Sequence, residues 1–504
     1  MERSKWLALQ NGSDIRGLAM GEGAVLTPAS AAGIGEAFGR LTVERTGKEH
    51  PVVAVGRDSR ESGPGLAQAT ADGLAKAGCR PFLTGLSTTP SLYLACVREG
   101  FGADASVMVT ASHLPPDKNG FKFFTPEGGC GRQTVRAVLE RAQERRLRAG
   151  EHECRPVLPA YAGLLREQVR KHVGLRRPLA GWHIVVDAGS GAGGFYARDV
   201  LQELGADTSG SLYLEPAGRC PGHEPNPEKE ENLAELSRAV RGTGADLGIA
   251  FDTDADRAAL IDAQGGCLSR NRLIALAAAV LAPQYPGGIV VTDSVTSSGL
   301  TQFLGKQGLV HHRFKRGYQN VIDEARRLSE AGFCVPLAIE TSGHAALLEN
   351  RFLDDGMYLA TRLLAAMVQC RRRGGELTNL LNGLREPAQS AEYRIPMKKE
   401  TPARAQGEIL RRLAAFVGRH PTLSPAPDNH EGLRVNVAPQ AGDGWFLLRQ
   451  SLHDPVLVLN LESEHPDGVA CMEKLLCSFF EEIADLLEAP PPFAGPARTG
   501  EKKQ

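Results

Sequence analysis

Short apolar runs alternate along the chain with longer amphipathic stretches, a pattern that predicts an α/β protein. Six of the apolar runs end in small, polar loops. Val52–Val55 runs into Gly56-Arg57-Asp58-Ser59-Arg60, and Ser106–Val109 runs into Thr110-Ala111-Ser112-His113. His183–Val186 leads to Asp187-Ala188-Gly189-Ser190-Gly191, and Leu247–Phe251 leads to Asp252-Thr253-Asp254. Ile289–Val291 precedes Thr292-Asp293-Ser294, and Leu337–Ile339 precedes Glu340-Thr341-Ser342-Gly343-His344. Ligands of open α/β sheets gather beyond the carboxyl ends of the strands, so six such loops predict several α/β units aimed at a common cleft. The Ala-rich stretch Leu66–Ala77 predicts a helix. The last stretch reads differently. After a linker at Glu386–Ser390 it predicts a helix over Ile409–Val417, short strands at Leu433–Val435 and Leu457–Leu459, and a closing helix over Met472–Leu487. That is a small α+β domain. No short repeat is visible, which argues against a solenoid.

At 504 residues the chain is long enough for about three or four domains. With 58 Lys+Arg against 59 Asp+Glu the net charge is -1, so no general electrostatic attraction to nucleic acid or an anionic membrane is expected. Ten cysteines without a CxxC pair suit neither a zinc site nor a disulfide scaffold, and predict reduced, packed thiols. No run of 18 apolar residues predicts a membrane span. The N-terminus lacks a signal-peptide core, and Asp14-Ile15-Arg16-Gly17 comes early for a transit peptide. A soluble, cytoplasmic protein is expected, with the plastid stroma as the alternative if a transit peptide precedes this chain.

Asp252-Thr253-Asp254-Ala255-Asp256-Arg257 carries the sharpest chemical signal. Three carboxylates at alternate positions repel one another unless a cation joins them, and hard oxygen ligands suit Mg²⁺ or Ca²⁺. An EF-hand is excluded, because its sixth position holds Arg257 and its twelfth Ala263. The competing reading is a solvated acidic turn with Arg257 as its partner. Ser112 and His113 lie at a strand end, with Asn119-Gly120-Phe121-Lys122 following. Ser112 suits a nucleophile or phosphoryl carrier, which needs a cation to stabilise the transferring group, or else a helix-capping serine. The hydrolase elbow GxSxG is absent around it. Gly189-Ser190-Gly191-Ala192-Gly193-Gly194 fits GxGxxG, so a nicotinamide or flavin oxidoreductase is a rival, with Glu215 placed to meet a ribose. Glu340, Ser342 and His344 on a Gly-containing loop suit sugar hydroxyls, or an ordinary helix cap. Arg434, Arg449 and Ser451 bring guanidiniums and a hydroxyl to the last domain, where Arg suits bidentate phosphate contacts or a solvated surface.

Taken together and in order, these segments resemble the α-D-phosphohexomutase superfamily, which includes phosphoglucomutase, phosphomannomutase and phosphoglucosamine mutase. The likeness runs from Asp14-Ile15-Arg16-Gly17 to about Leu487. The stretch TASHLPPDKNGFK is similar to the family's phosphoserine loop and DTDADR to its metal loop. ETSGH is similar to its sugar-recognition loop, and HEPNP at His223–Pro227 fits its second domain. The resemblance implies Ser112 as the phosphorylated serine, with His113, Lys122, Arg16 and Arg257 around it. It implies Asp252, Asp254, Asp256 and Ser112 as Mg²⁺ ligands. Glu340, Ser342, His344, Lys315, Arg434, Arg449, Ser451 and His453 are implied as substrate contacts. Four domains are implied around a central cleft: three successive α/β domains over 1–155, 156–267 and 268–385, an α+β domain over 386–489, and a disordered tail over 490–504. The implied reaction interconverts hexose 6-phosphate and hexose 1-phosphate through a bound hexose 1,6-bisphosphate, which also serves as activator. Two departures stand out. The family's last phosphate loop usually reads Arg-x-Ser-Asn-Thr, and here Leu452 and His453 follow Ser451. In the sugar loop Thr341 replaces the more usual Glu or Met. The first resembles a branch found in photosynthetic eukaryotes and leaves a catalytically degenerate phosphosugar-binding protein as an alternative.

Overall fold

The computed structural model describes residues 2–398, 405–451 and 456–493. The chain divides into two compact units, one of residues 1–285 and 325–382, the other of 286–324 and 383–504.

The first unit holds the strands that carry the serine and acidic loops. One sheet runs in the order Gln10–Asn11, Asp14–Leu18, Lys118–Thr125, Ala105–Val109, Val52–Arg57, Arg80–Leu86, Glu153–Cys154. Its central strands Val52–Arg57 and Ala105–Val109 are parallel and apolar because both faces are covered; every residue of Ala105–Val109 is buried. Helix Pro28–Thr46 starts at Thr27, whose hydroxyl accepts from Ser30 N while the Ser30 hydroxyl faces Thr27 N, closing a reciprocal cap. It packs with Gly63–Lys76, the helix expected over Leu66–Ala77, on a core that includes Ile34, Phe38, Leu66 and Leu74. A second sheet runs Cys267–Leu268, Ala258–Asp262, Leu247–Phe251, Ile184–Asp187. A third set in this unit, Leu337–Ile339, Ala345–Leu347 and Leu353–Asp354, is antiparallel throughout.

The second unit contains the parallel pair Ile289–Thr292 and Val310–Arg313. It also contains an antiparallel sheet in the order Gln389–Pro396, Val456–Ser463, Gly444–Gln450, Leu433–Val437, Leu423–Pro425. Helices Ala405–Gly418 and Gly468–Glu482 close its core around Phe416, Phe446 and Phe479. Two expectations change here. Gln389 and Ser390, read as linker, open an eight-residue strand. At the other end, Phe493 stays packed, its ring 4.9 Å from Tyr393 and 5.8 Å from Phe480, so 490–493 are not loose tail. The remainder of the expected tail, 494–504, lies outside the described residues, as do Leu452 and His453. All ten cysteines are free thiols. Among the described residues no helix is long and apolar enough to cross a membrane.

Candidate active site

Three loops of the first unit meet at one place. The acidic hexapeptide Asp252–Arg257 is the loop of a hairpin whose strands pair Phe251 with Ala258. Ala255 takes a left-handed φ of 57° and its N–H returns to Asp252 O at 3.1 Å, which closes the turn tightly enough to bury all three carboxylates. The pentapeptide Glu340–His344 is likewise a hairpin loop, between strands that pair Ile339 with Ala345. The two loops touch through an antiparallel bridge of Arg257 with His344, and Ala258 N donates to Gly343 O at 3.3 Å. Gly343 has φ +95°, and a Cβ there would lie 2.6 Å from Ala258 O, so the contact requires glycine.

The serine loop supplies the third component. Ser112 is 5% exposed, and its hydroxyl donates to Asp252 Oδ2 at 2.7 Å. Arg257 Nε donates to the same carboxylate oxygen at 2.9 Å and Arg257 Nη2 to Ser112 Oγ at 2.9 Å. Nη2 also faces His113 Nδ1 at 2.5 Å. A guanidinium only donates, so Nδ1 is the acceptor and the proton sits on Nε2. Burial, then the nearby Arg257, push the His113 pKa down to about 2, so this ring stays neutral. Lys122, from the strand paired to Ala105–Val109, reaches Asp254 Oδ2 at 2.9 Å and also contacts Asp256. Arg16, on the neighbouring strand, pairs with Asp14 at 2.7 Å and donates to Thr110 O at 3.2 Å.

The acidic loop fits a divalent cation. Asp252, Asp254 and Asp256 present oxygens within 4.8 Å of one another, all buried, and Asp254 Oδ1 and Asp256 Oδ1 have no hydrogen-bond partner. Burial, then Arg257 opposing it, leave the Asp252 carboxyl raised to about 6. Burial pushes Asp254 up as well, but Lys122 and the Thr89 hydroxyl outweigh it and hold it below its ordinary value. Asp256 is raised by burial and by Asp254. Orphaned buried oxygens and carboxylates that resist ionisation are what a hard cation such as Mg²⁺ relieves.

His344 differs from His113. Its Nδ1 lies 2.6 Å from Asp354 Oδ2 and 3.8 Å from Asp256 Oδ1. Burial lowers its pKa, but the two carboxylates outweigh burial and carry it up to about 9. One ring is therefore neutral and the other an imidazolium. Glu340 and Ser342 lie beside them, the Ser342 hydroxyl donating to Glu340 Oε2 at 3.1 Å.

Several residues that shape this site were given no role from the sequence, although HEPNP at His223–Pro227 and the Gly56–Arg60 loop stood out there. Asn226 Oδ1 accepts from Arg257 Nη1 at 3.2 Å. The segment carrying Asn226 is anchored by His223, whose Nε2 faces Asp187 Oδ2 at 2.8 Å. Asp58, Arg60, Thr89 and Asp354 belong to the same network. The glycine run 189–194 has a different role from the one GxGxxG suggests. A Cβ at Gly191 would meet Thr253 O at 2.5 Å, and one at Gly194 would meet Leu214 O at 1.8 Å. A π-helical turn, Tyr196–Gln202, follows in place of a regular helix, and Glu215 lies in no strand. The glycines let this turn press against the acidic loop, so the dinucleotide reading does not hold.

The second unit holds the other predicted cations. Arg434 is 3% exposed, stacks 3.5 Å over the Trp445 ring and donates to Ser294 O at 2.9 Å. Among the described residues its Nη2 has no hydrogen-bond partner. Burial, then Arg313 nearby, lower its pKa well below the ordinary guanidinium value. Arg449 is also buried, 3.8 Å from Glu431, with Nε unpartnered. Ser451 is half-buried at the end of strand Gly444–Gln450, and Lys315 is exposed, its ammonium 5.7 Å from the Phe314 ring centroid. Arg313, unforeseen, pairs with Asp428 at 2.8 Å.

A buried serine against an acidic cation loop, on α/β sheets, defines a phosphoryl-transfer class of protein. The family models for phosphoglucomutase/phosphomannomutase alpha/beta/alpha domains I, II and III match residues 8–148, 159–265 and 269–386. The chain is 33% identical to a phosphomannomutase/phosphoglucomutase of Pseudomonas aeruginosa over 482 residues, 95% of this chain and 96% of that one. It is 35% identical to a phosphoglucomutase/phosphomannomutase of Thermococcus kodakarensis over 460 residues, 89% of this chain and 93% of the other. A crystal structure of a phosphoglucomutase/phosphomannomutase family protein from Burkholderia thailandensis superposes with a TM-score of 0.78 at 29% identity, covering 96% of this chain and 99% of that one. The chain belongs to the phosphoglucomutase/phosphomannomutase family, within the α-D-phosphohexomutases. It is an enzyme of the isomerase, intramolecular phosphotransferase type.

Proposed function

We propose that this enzyme interconverts the 6-phosphates and 1-phosphates of glucose and mannose through phospho-Ser112 and a bound hexose 1,6-bisphosphate. The observation that carries the reading is Ser112 Oγ, 2.7 Å from Asp252 Oδ2 and 2.9 Å from Arg257 Nη2. The hydroxyl sits between a cation-binding carboxylate and a fixed guanidinium, where a phosphoryl group on it finds its charge matched. Relatives at 33–35% identity named for mannose and glucose support the choice of sugars.

In the forward direction the free sugar hydroxyl bonds to the phosphorus of phospho-Ser112 as the Ser112 O–P bond breaks, and the proton the hydroxyl loses ends on the serine oxygen, leaving a bisphosphate. The bisphosphate reorients and returns its other phosphoryl group to Ser112. Asp252, Asp254 and Asp256 would hold Mg²⁺, which would supply positive charge to the transferring group. Arg257 holds the Ser112 oxygen in place and Lys122 neutralises the acidic loop between turns. His113 is unfit as a base, since its Nδ1 already accepts from Arg257. We assign His344, held by Asp354, to contact with the substrate. Glu340 and Ser342 contact sugar hydroxyls. To Arg449, Arg434, Ser451 and Lys315, and to His453 outside the described residues, we assign contact with the phosphate that is not transferred.

A coupled mutase assay tests the reading, run over glucose, mannose, glucosamine and N-acetylglucosamine 1-phosphates with Mg²⁺ and a trace of 1,6-bisphosphate. Turnover of the first two, lost in Ser112→Ala, is expected. Tight binding of these phosphates without turnover would instead mark a phosphosugar-binding protein.

A further inference from the structure

We infer that Arg60, held by Asp58, is a positioning residue that sets the Ser112 loop for phosphoryl transfer; the inference rests on the phosphoserine reading above. The Arg60 side chain is 2% exposed and touches no group in the reacting set through its own charge. Four of its five N–H groups are hydrogen-bonded, all to carbonyls of one loop. Nη2 donates to Ser112 O at 2.5 Å and Leu114 O at 2.6 Å, and Nη1 donates to Pro115 O at 2.7 Å and Lys118 O at 3.0 Å. Nε faces Asp58 Oδ2 at 3.2 Å. The loop from 112 to 118 thus curls its carbonyls around one guanidinium, which stands where a strand or helix would otherwise take them up.

The other side of Ser112 is tied to the same pair. Ser112 N donates to Thr110 Oγ1 at 2.9 Å, and that hydroxyl donates to Asp58 Oδ2 at 2.7 Å. Arg60 N in turn donates to Asp58 Oδ1 at 3.0 Å. The N–H of Ser112 is therefore fixed through Thr110 to Asp58, and its C=O directly to Arg60. Between these two ties the backbone of Ser112 holds φ +52°, a left-handed conformation that strains a non-glycine residue. That conformation presents Oγ to Asp252 and Arg257. The reason for a guanidinium here is geometric, not electrostatic: Asp58 pairs with its charge at 3.2 Å, and the four Nη hydrogens match four carbonyls. A lysine, with three donors at one point, cannot hold four spread carbonyls.

Loss of this clamp has two readable consequences. Misplacing a reacting oxygen by about 1 Å costs on the order of 100-fold in rate. A loosened loop also opens phospho-Ser112 to water, which cleaves its P–O bond to give serine and inorganic phosphate. The experiment uses the full chain as wild type, Arg60→Lys, Arg60→Met, and the double variant Asp58→Asn/Arg60→Met, which leaves no unpaired buried carboxylate. Steady-state kinetics at a temperature where each variant is folded is combined with intact-mass measurement of phosphate loss from Ser112 in the absence of sugar. The expected result is kcat down on the order of 100-fold in both Met forms with KM little changed, partial rescue by Lys, and faster phosphate loss. Folded Met variants with wild-type kcat and wild-type phosphate loss would overturn the inference. If neither Arg60→Lys nor the double variant folds, Arg60 is a folding requirement and the positioning role is withdrawn. A wild type that turns over without phosphate on Ser112 would refute the phosphoserine reading itself, and the inference with it, independently of the variants.

Discussion

His223 offers a quantitative test of how the second sheet supports Arg257. Both of its ring nitrogens face acceptors, Nε2 at 2.8 Å from Asp187 Oδ2 and Nδ1 at 2.8 Å from Glu224 O. Only the imidazolium has two N–H groups to offer, so the site selects the charged ring. The hydrogen bond to Asp187, against the opposing effect of burial, raises the pKa to about 9. Tyr213 edges onto the ring at 5.4 Å and Glu235 adds negative charge behind it. A rise from ~6.5 in the unfolded chain is worth at most ~3 kcal/mol of stability. The sign follows from the raised value: the stabilisation is complete below pH ~6.5 and is lost as pH climbs through about 9. Urea unfolding of wild type and His223→Gln across pH 6 to 9.5 should show a gap of ~3 kcal/mol at the acid end that nearly closes at the alkaline end. An NMR titration, with the His223 signal assigned as the one missing from the variant, should give a midpoint near 9. A midpoint near the ordinary imidazole value, or a stability gap that does not change with pH, would refute the reasoning. Because Asn226 reaches Arg257 from this segment, kcat should fall in the variant as well.

Ser112→Ala should remove both the phosphate detected by intact mass and all turnover. Adding Mg²⁺ should raise the melting temperature by mass action, by an amount equivalent to ~2.7 kcal/mol at 100 times Kd, and Asp254→Asn should abolish most of that response. Gly343→Ala places a methyl 2.6 Å from Ala258 O at φ +95°, so a loss of order 1–3 kcal/mol in stability is expected by calorimetry, along with activity. Arg449→Ala should raise KM for both phosphate isomers and leave phosphate on Ser112.

The strands and loops of the site were readable because each is local. A buried strand is a short apolar run, and the loop at its end shows its polar residues in sequence: Leu247–Phe251 then Asp252, Leu337–Ile339 then Glu340. What joins the loops was not readable. Arg60 meets a carbonyl 52 residues away and Arg257 meets Ser112 145 residues away, and ordinary charged residues leave no periodicity that announces such pairings. GxGxxG misled for a related reason. A glycine needed for close packing against Thr253 and Leu214 looks the same in sequence as one needed to approach a pyrophosphate. Sequence shows the charge of Arg434, which suited a phosphate contact or a solvated surface; its burial over Trp445 arises from strand pairing that places Asn436 opposite Trp445 and Arg434 opposite Leu447.

The left-handed backbone at Ser112 narrows which amino acids this position tolerates. Threonine carries the same hydroxyl and is accepted beside serine at many phosphorylated sites. Here its second Cβ substituent would crowd a residue already at φ +52°, where β-branched side chains are outliers. Aspartate and asparagine, by contrast, visit that region readily. A mutational scan of the position should therefore rank folded proteins by backbone tolerance, with Asn well folded and inactive, Asp penalised by its charge against Asp252, and Thr poorly folded despite its intact alcohol. Chemical similarity would be the wrong guide to substitution at the one atom on which the chemistry turns.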